Sequence, residues 1–325
     1  LKILVSAVRS RPTPPPKGGN LFPPFLFPQA FLQFHYHYYQ GTENSNRLKY
    51  VSDVATGTYS EDIDDQTGAA TDNKNYEYDD IGNLTKDVTG DLEDIKWTVY
   101  GKIREIEKGD GTIITFAYDP MGQRIMKKVD PTSGNTVYTY YLRDAQGNNM
   151  ATYERIDAET TDDLFLTEQY VYGSSRVGYV SLNYEMVDAT PSTTNFGRKL
   201  GEKRYELSNH LGNVLAVVTD RLFAYQEASP YTNHVKYYEA DVVSAQDYDP
   251  FGMITEGRKW QEFNYRLGFK GKENDDETYG NNNAIDFGAR IYDSRLGRWF
   301  SIDQQFHLYP QISHFCFATS NPMRF

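Results

Sequence analysis

Residues 290–303, Arg-Ile-Tyr-Asp-Ser-Arg-Leu-Gly-Arg-Trp-Phe-Ser-Ile-Asp, set two aspartates among arginines around a glycine turn. Carboxylates placed in this way can activate water against a peptide bond, or they can close a salt-bridged hairpin. Asp293, with Arg295, Gly297 and Arg298 close by, fits the hairpin turn. Arg290 and Arg298, whose planar forks suit carboxylates, fit ties between the C-terminal segment and the rest of the chain. The remaining clusters offer less chemistry. Asn209-His210 in "LSNHLGN" supplies an imidazole, but no serine or cysteine nucleophile stands at a recognisable spacing. His35 and His37 in "FHYHYY" point to one side of a strand and would give two metal ligands, with no third in view. The acidic "EDIDD" at 61–65 lacks the glycine and terminal glutamate of a calcium loop. Cys316 is the sole cysteine, which excludes an internal disulfide and a Cys-rich zinc site. No cofactor and no metal are expected.

Few aliphatic residues are available to position such groups. Of 325 residues only 39% are hydrophobic, yet 15% are aromatic, including 27 Tyr and 18 Phe, a balance that suits half-buried pleated sheet. The net charge of −12 argues against nucleic acid, which needs clustered Lys and Arg. No apolar run reaches the length of a transmembrane helix. Residues 1–45, with "RPTPPPKGGNLFPPFLFPQAF", form an atypical Pro- and Phe-rich leader expected to be disordered, because dense proline breaks both helices and central strands.

From Tyr50 onward the pattern is strand and turn. "NYEYDDIGNLTKDV" and "TFAYDPMGQRIMKKV" are near copies, and looser echoes follow at "YYLRDAQGNNMATY", "RYELSNHLGNVLAVVTD", "AQDYDPFGMI" and "RIYDSRLGRWFSID". Alternating aromatics lead into Asp or Asn, a glycine follows, and an apolar alternation returns as the partner strand. Asp79, Asp119 and Asp249 can open turns by accepting backbone N–H groups. Gly82, Gly122 and Gly252 can close them where φ must be positive.

These strings resemble the YD repeats of bacterial Rhs proteins and related polymorphic toxins. The C-terminal part resembles the Rhs repeat-associated core domain, through "ELSNHLGNVLAVVTD", "DYDPFGM", "GFKGKEND", "DFGARIYDSRLGRWFSID" and "SNPMRF". The resemblance implies an all-β fold of antiparallel hairpins forming a curved sheet or partial hollow shell. Residues 46–200 would be the repeat region and 201–325 a core-domain plug, the whole being either a fragment of a longer wall or a degenerate remnant of one. It also implies an enclosed C-terminal toxin segment as partner and a secreted or cell-surface location. Some members cut themselves by an aspartyl reaction, and their two aspartates match Asp275 and Asp303 here, with Asp276 a rival for the first. This chain departs from the pattern: Gln304 stands where the family has proline, "QQFHLYP" replaces the expected glycine and leucine, and no arginine precedes Asp275. A structural wall without turnover is therefore the expected function. An aspartyl self-protease and a surface glycan- or partner-binding module are the alternatives.

Overall fold

The computed structural model describes residues 34–322, apart from 41–45, 54–62, 64, 69–70, 158–162, 188–198, 227–233, 263–264 and 281. Most of the expected leader, residues 1–33, thus lies outside the described residues, as does most of "EDIDD". The leader boundary drawn at 45 falls inside a two-stranded ribbon of β1 (Phe34–Tyr38) and β2 (Leu48–Asp53).

Fourteen strands then build one open antiparallel sheet. They are β3 (Tyr76–Tyr78), β4 (Leu84–Asp87), β5 (Leu92–Trp97), β6 (Ile103–Lys108), β7 (Ile113–Tyr118), β8 (Arg124–Asp130) and β9 (Thr136–Arg143). The second half is β10 (Asn149–Asp157), β11 (Leu164–Tyr172), β12 (Arg176–Glu185), β13 (Lys203–Ser208), β14 (Val214–Gln226), β15 (Val235–Tyr248) and β16 (Ile254–Gln261). Each strand pairs with the next in chain order, leaving β3 and β16 as the two ends of the row and no closure into a barrel. The last four of these strands had been expected in the C-terminal domain, yet they continue the same sheet.

One connection recurs along this sheet. Tyr78 faces Leu84, Trp97 faces Ile103, Tyr118 faces Arg124, Arg143 faces Asn149, Ser208 faces Val214 and Tyr248 faces Ile254. A register shift adjoins each of these closing pairs, the extra residue lying on the returning strand, so a bulge twists that strand just after the turn. In the turns at Asp79, Asp119 and Asp249 the aspartate amide donates to the carbonyl four residues on, and the glycine amide donates back to the aspartate carbonyl. The Asp79 and Asp119 carboxylates also accept the amides of Asn83 and Gln123. Gly82 at φ 99° and Gly252 at φ 96° occupy backbone that L side chains avoid, which fixes glycine at these places. The turns at Thr98–Gly101 and Asp144–Gly147 follow the same hydrogen-bond scheme.

A smaller C-terminal unit lies on one face of the sheet. It contains β17 (Glu273–Asn274), α1 (Asp276–Tyr279), β18 (Ala284–Asp286), β19 (Ile291–Asp293) and β20 (Arg298–Trp299), with its four strands paired in chain order. Ile95, Ile106 and Ile114 stand opposite one another across β5–β7. They belong to one buried cluster with Ala284, Ile291 and Phe300 of the smaller unit. A second cluster joins Val214, Val217 and Tyr179 to Tyr265 and Leu267. Each such aliphatic side chain stabilises the contact by about 1.5–3 kcal/mol on burial. Two core tyrosines place their hydroxyls on partners: Tyr292 donates to the Phe251 carbonyl at 2.7 Å, and Tyr76 accepts from Gln66 at 2.8 Å.

Candidate functional site

The chemistry concentrates where the sheet meets the C-terminal unit. β8 turns Arg124 and Lys127 toward that face, and both side chains are only 2% exposed. A bulge at the Tyr118–Arg124 pair lets two residues three apart face inward on one strand. Both Nη atoms of Arg124 donate to the two oxygens of Asp275 at 2.7 Å, and Nη2 lies 3.1 Å from Asp286. The Phe116 ring supports the guanidinium from one side, 4.5 Å away. The Lys127 ammonium lies 3.4 Å from Asp275 and donates to Glu277 at 2.8 Å. Burial alone would push the Asp275 carboxyl up; Arg124 and Lys127 outweigh it and hold the group below the usual carboxylate range.

Further ion pairs extend this contact along the sheet. Arg266, in the link between the two units, pairs with Glu168 at 2.7 Å, and Tyr141 donates to Glu273 at 2.7 Å. Arg176 holds Glu206 at 2.9 Å and donates to the Gly271 carbonyl at 2.8 Å. At the other end Asp87, fully buried, accepts from Tyr279 at 2.7 Å and from Asn75 at 2.8 Å. Arg295 reaches it at 3.4 Å while stacking 3.7 Å over the Tyr279 ring. Backbone joins the units as well, Leu84 donating to the Phe300 carbonyl and Val214 to the Gly268 carbonyl. Charges this deeply buried are costly when single and tolerable when paired, so the seam fixes one register of unit on sheet.

The proposed proteolytic aspartates belong to different parts of this network. Asp275 spends both oxygens on Arg124. Asp303, 43% exposed, accepts from Arg290 at 2.8 Å and from the Gln305 amide. No recorded hydrogen bond or ion pair joins the two among the described residues. Asp276, the rival, begins α1 and accepts the Asn282 amide at 2.7 Å; burial pushes its carboxyl up. A carboxylate kept ionised by two cations, as Asp275 is, is a poor proton donor.

The other candidates have local roles. Asp293 accepts from the Arg295 side chain at 2.7 Å and from its amide at 2.9 Å. Gly297, at φ 66°, completes the β19–β20 turn, which is one residue tighter than the recurring connection. Arg298 donates to the Asn46 carbonyl and lies 5.0 Å from the Phe315 ring, so it ties the unit to the β1–β2 ribbon. Arg290 corrects the expectation of a tie to the sheet: its partners, Asp303 and the Trp299 ring at 4.3 Å, both belong to its own unit. The reason is charge. The side of the unit that meets β8 is acidic, through Glu273, Asp275, Glu277 and Asp286, so the cations there come from the sheet. Asn209 opens a turn, accepting the Leu211 and Asn213 amides, with His210 exposed beside it. His37 bonds Ser52 and stacks on Tyr50 at 4.1 Å.

Sequence reasoning missed Arg124, Lys127, Glu277, Arg266 and Asp87. In an alternating strand a polar letter reads as solvent-facing, and "QRIMKKV" carries no mark that its cations point inward. A complementary acidic run, "ENDDE" at 273–277, was the only available signal.

No family model matches the chain. The curated salivary gland surface protein 1 of Aedes aegypti is 24% identical over 245 residues, covering 73% of this chain and 6% of that protein. Among solved structures, the crystal structure of TcdB2-TccC3 superposes with a TM-score of 0.55 at 16% identity, over 76% of this chain and 11% of that one. TcdB2-TccC3-Cdc42 gives 0.56 at 15% identity, over 90% and 13%. The chain therefore spans a small part of the proteins it matches, and the likeness is one of fold.

Proposed function

We propose that the chain is a wall segment of an Rhs-type toxin shell, which encloses or presents a C-terminal effector segment outside or on the surface of the producing cell. The carrying observation is the buried seam: an open sheet grown hairpin by hairpin holds a separate C-terminal unit on one face through paired charges. The sheet meets its C-terminal unit through apolar clusters and, beside them, through buried ion pairs that set its position, as suits a wall bearing a plug. The likeness of fold to TcdB2-TccC3 supports the same reading, as does the curated relative named for a surface. In this reading the division between wall and plug lies after β16, near residue 262, instead of near residue 200.

Self-cleavage through Asp275 and Asp303 is the less favoured reading, because separate arginines engage the two carboxylates. A glycan- or partner-binding surface finds support in the ribbon formed by the far ends of β14 and β15. There Tyr225 and Tyr237 stack at 5.0 Å, and Leu222 and Tyr238 are each 62% exposed. The wall reading is tested by adding protease to the full natural gene product. Chain following the C-terminal unit should resist digestion until denaturant opens the sheet. Its digestion at the same rate as an unfolded control would reject enclosure.

A further inference from the structure

The β1–β2 ribbon carries side chains that the seam does not use. His37 stands opposite Tyr50, and a register shift then sets Tyr38 opposite Leu48, so Lys49 is the extra residue of a bulge. His37 and Tyr50 stack with ring centroids 4.1 Å apart and planes within 4° of parallel. The Asn75 amide donates to the Lys49 carbonyl at 3.0 Å, which brings Lys74 alongside Lys49 although 25 positions of chain separate them. A groove of about 530 Å³ opens at this place, bordered by both lysines, by the stacked pair and by Tyr36, Tyr38 and Tyr39. That is ample for a small ligand. Tyr36 and Tyr38 are 37% and 38% exposed, so their rings are partly bare along it.

The charge of this groove runs against that of the molecule. In a chain of net charge −12, the lining holds two lysines and no carboxylate. Along the sheet, Lys86, Lys96, Lys127 and Lys128 each hold a carboxylate at 2.5–2.8 Å. Among the described residues neither Lys49 nor Lys74 has a recorded side-chain partner. Lys74 is exposed and Lys49 half-buried, so both stay open to solvent and to a ligand. Two like charges side by side repel, and an anion between them would offset that repulsion. Ammonium groups on flexible stems act as point charges, which suits a compact, multiply charged phosphate better than the fixed fork that a carboxylate prefers. The tyrosines and the stacked pair add flat apolar surface beside the cations. Together they define an occupant with a flat ring and a phosphate end.

We infer that this groove binds a small phosphate ester of a flat ring, with the phosphate between Lys49 and Lys74 and the ring among Tyr36, Tyr38 and Tyr50. The site is independent of the wall reading. The ester could be a nucleoside monophosphate or a simple aryl phosphate, and the two sources share this chemistry.

The test is calorimetric titration of the whole chain with adenosine monophosphate against adenosine, and with phenyl phosphate against phenol. Inorganic phosphate alone is the third probe. Saturable binding of either ester, with its neutral match and inorganic phosphate each at least about tenfold weaker, upholds the site. The ester that binds more tightly identifies the source. Lys49→Gln with Lys74→Gln should weaken that ester by about tenfold or more and leave the melting temperature unchanged, since neither ammonium has a partner to lose. The charge-matched control, Lys199→Gln with Lys236→Gln at exposed positions elsewhere, should leave the affinity within about twofold. A smaller margin over the neutral match or over inorganic phosphate in both pairs, or no saturation by either ester, overturns the proposal. An equal loss in the two double variants overturns it as well, because attraction to net charge alone would then account for the binding. The comparisons among probes use the unmodified chain and stand even if a variant fails to fold.

Discussion

Replacing Asp275 by asparagine keeps the shape of the side chain but removes the charge that both Arg124 and Lys127 face. All three side chains are 2% exposed, so solvent cannot compensate. Breaking a buried pair by removing one partner typically costs about 3–5 kcal/mol. Here Arg124 keeps Asp286 at 3.1 Å and Lys127 keeps Glu277 at 2.8 Å, so neither cation is left bare and the lower end, about 3 kcal/mol, is expected. At this chain length that corresponds to a fall in melting temperature of roughly 4–5 °C. The matched control is Asp303→Asn, whose pair with Arg290 is 43% exposed on the aspartate side and should contribute about 0–1 kcal/mol. Urea unfolding followed by tryptophan fluorescence, run on both variants, reads the difference. The pH dependence has a definite sign. Asp275 is held below its unfolded value, so its stabilisation is fully present above about pH 4 and is lost as pH falls through the folded value. The gap between parent and Asp275→Asn should therefore be constant near neutrality and narrow in acid. Equal costs for the two variants, or a gap that widens in acid, would refute the seam.

Glycine replacements should rank by what a new Cβ meets. Gly252→Ala would set a methyl 2.6 Å from the Phe269 ring at a positive φ, costing about 2–4 kcal/mol, whereas Gly122→Ala meets only the flexible Lys102 stem at 3.3 Å and should cost about 1 kcal/mol. Equal chemical-denaturation midpoints would contradict the assignment of these turns. Tyr279→Phe removes one of several donors to buried Asp87 and should cost about 1–2 kcal/mol, read by the same unfolding experiment; no loss would mean that the hydroxyl is not needed there. Expressed with its natural downstream sequence, the chain should stay intact by mass spectrometry. A fragment ending shortly after Asp303, abolished by Asp303→Asn with folding retained, would make it a self-processing enzyme.

The hairpins were legible because their rules are local. A tyrosine, an aspartate straight after it and a glycine at positive φ three residues on are all visible within ten residues of sequence, and the turns at Asp79, Asp119 and Asp249 follow from them. The Thr98–Gly101 turn has the same hydrogen bonds but offers threonine in place of aspartate, so the pattern hid it. The seam was not legible, because Arg124 meets Asp275 across 151 positions of chain and Tyr279 meets Asp87 across 192. A cation on an alternating strand looks solvated until the acidic unit that covers it is known. Arg290 shows the converse: its sequence context suggested a long reach, and its partners turned out to be a ring and a carboxylate close by.

The central claim is that this sheet is wall, with its C-terminal unit held on the enclosed side. Cryo-electron microscopy of the full natural gene product tests it most directly. The account predicts that pairing continues past β3 or β16 into a closed shell, with the Arg124–Asp275 seam facing the lumen. A sheet that stays open at both ends, with the C-terminal unit on its outer surface, would contradict it.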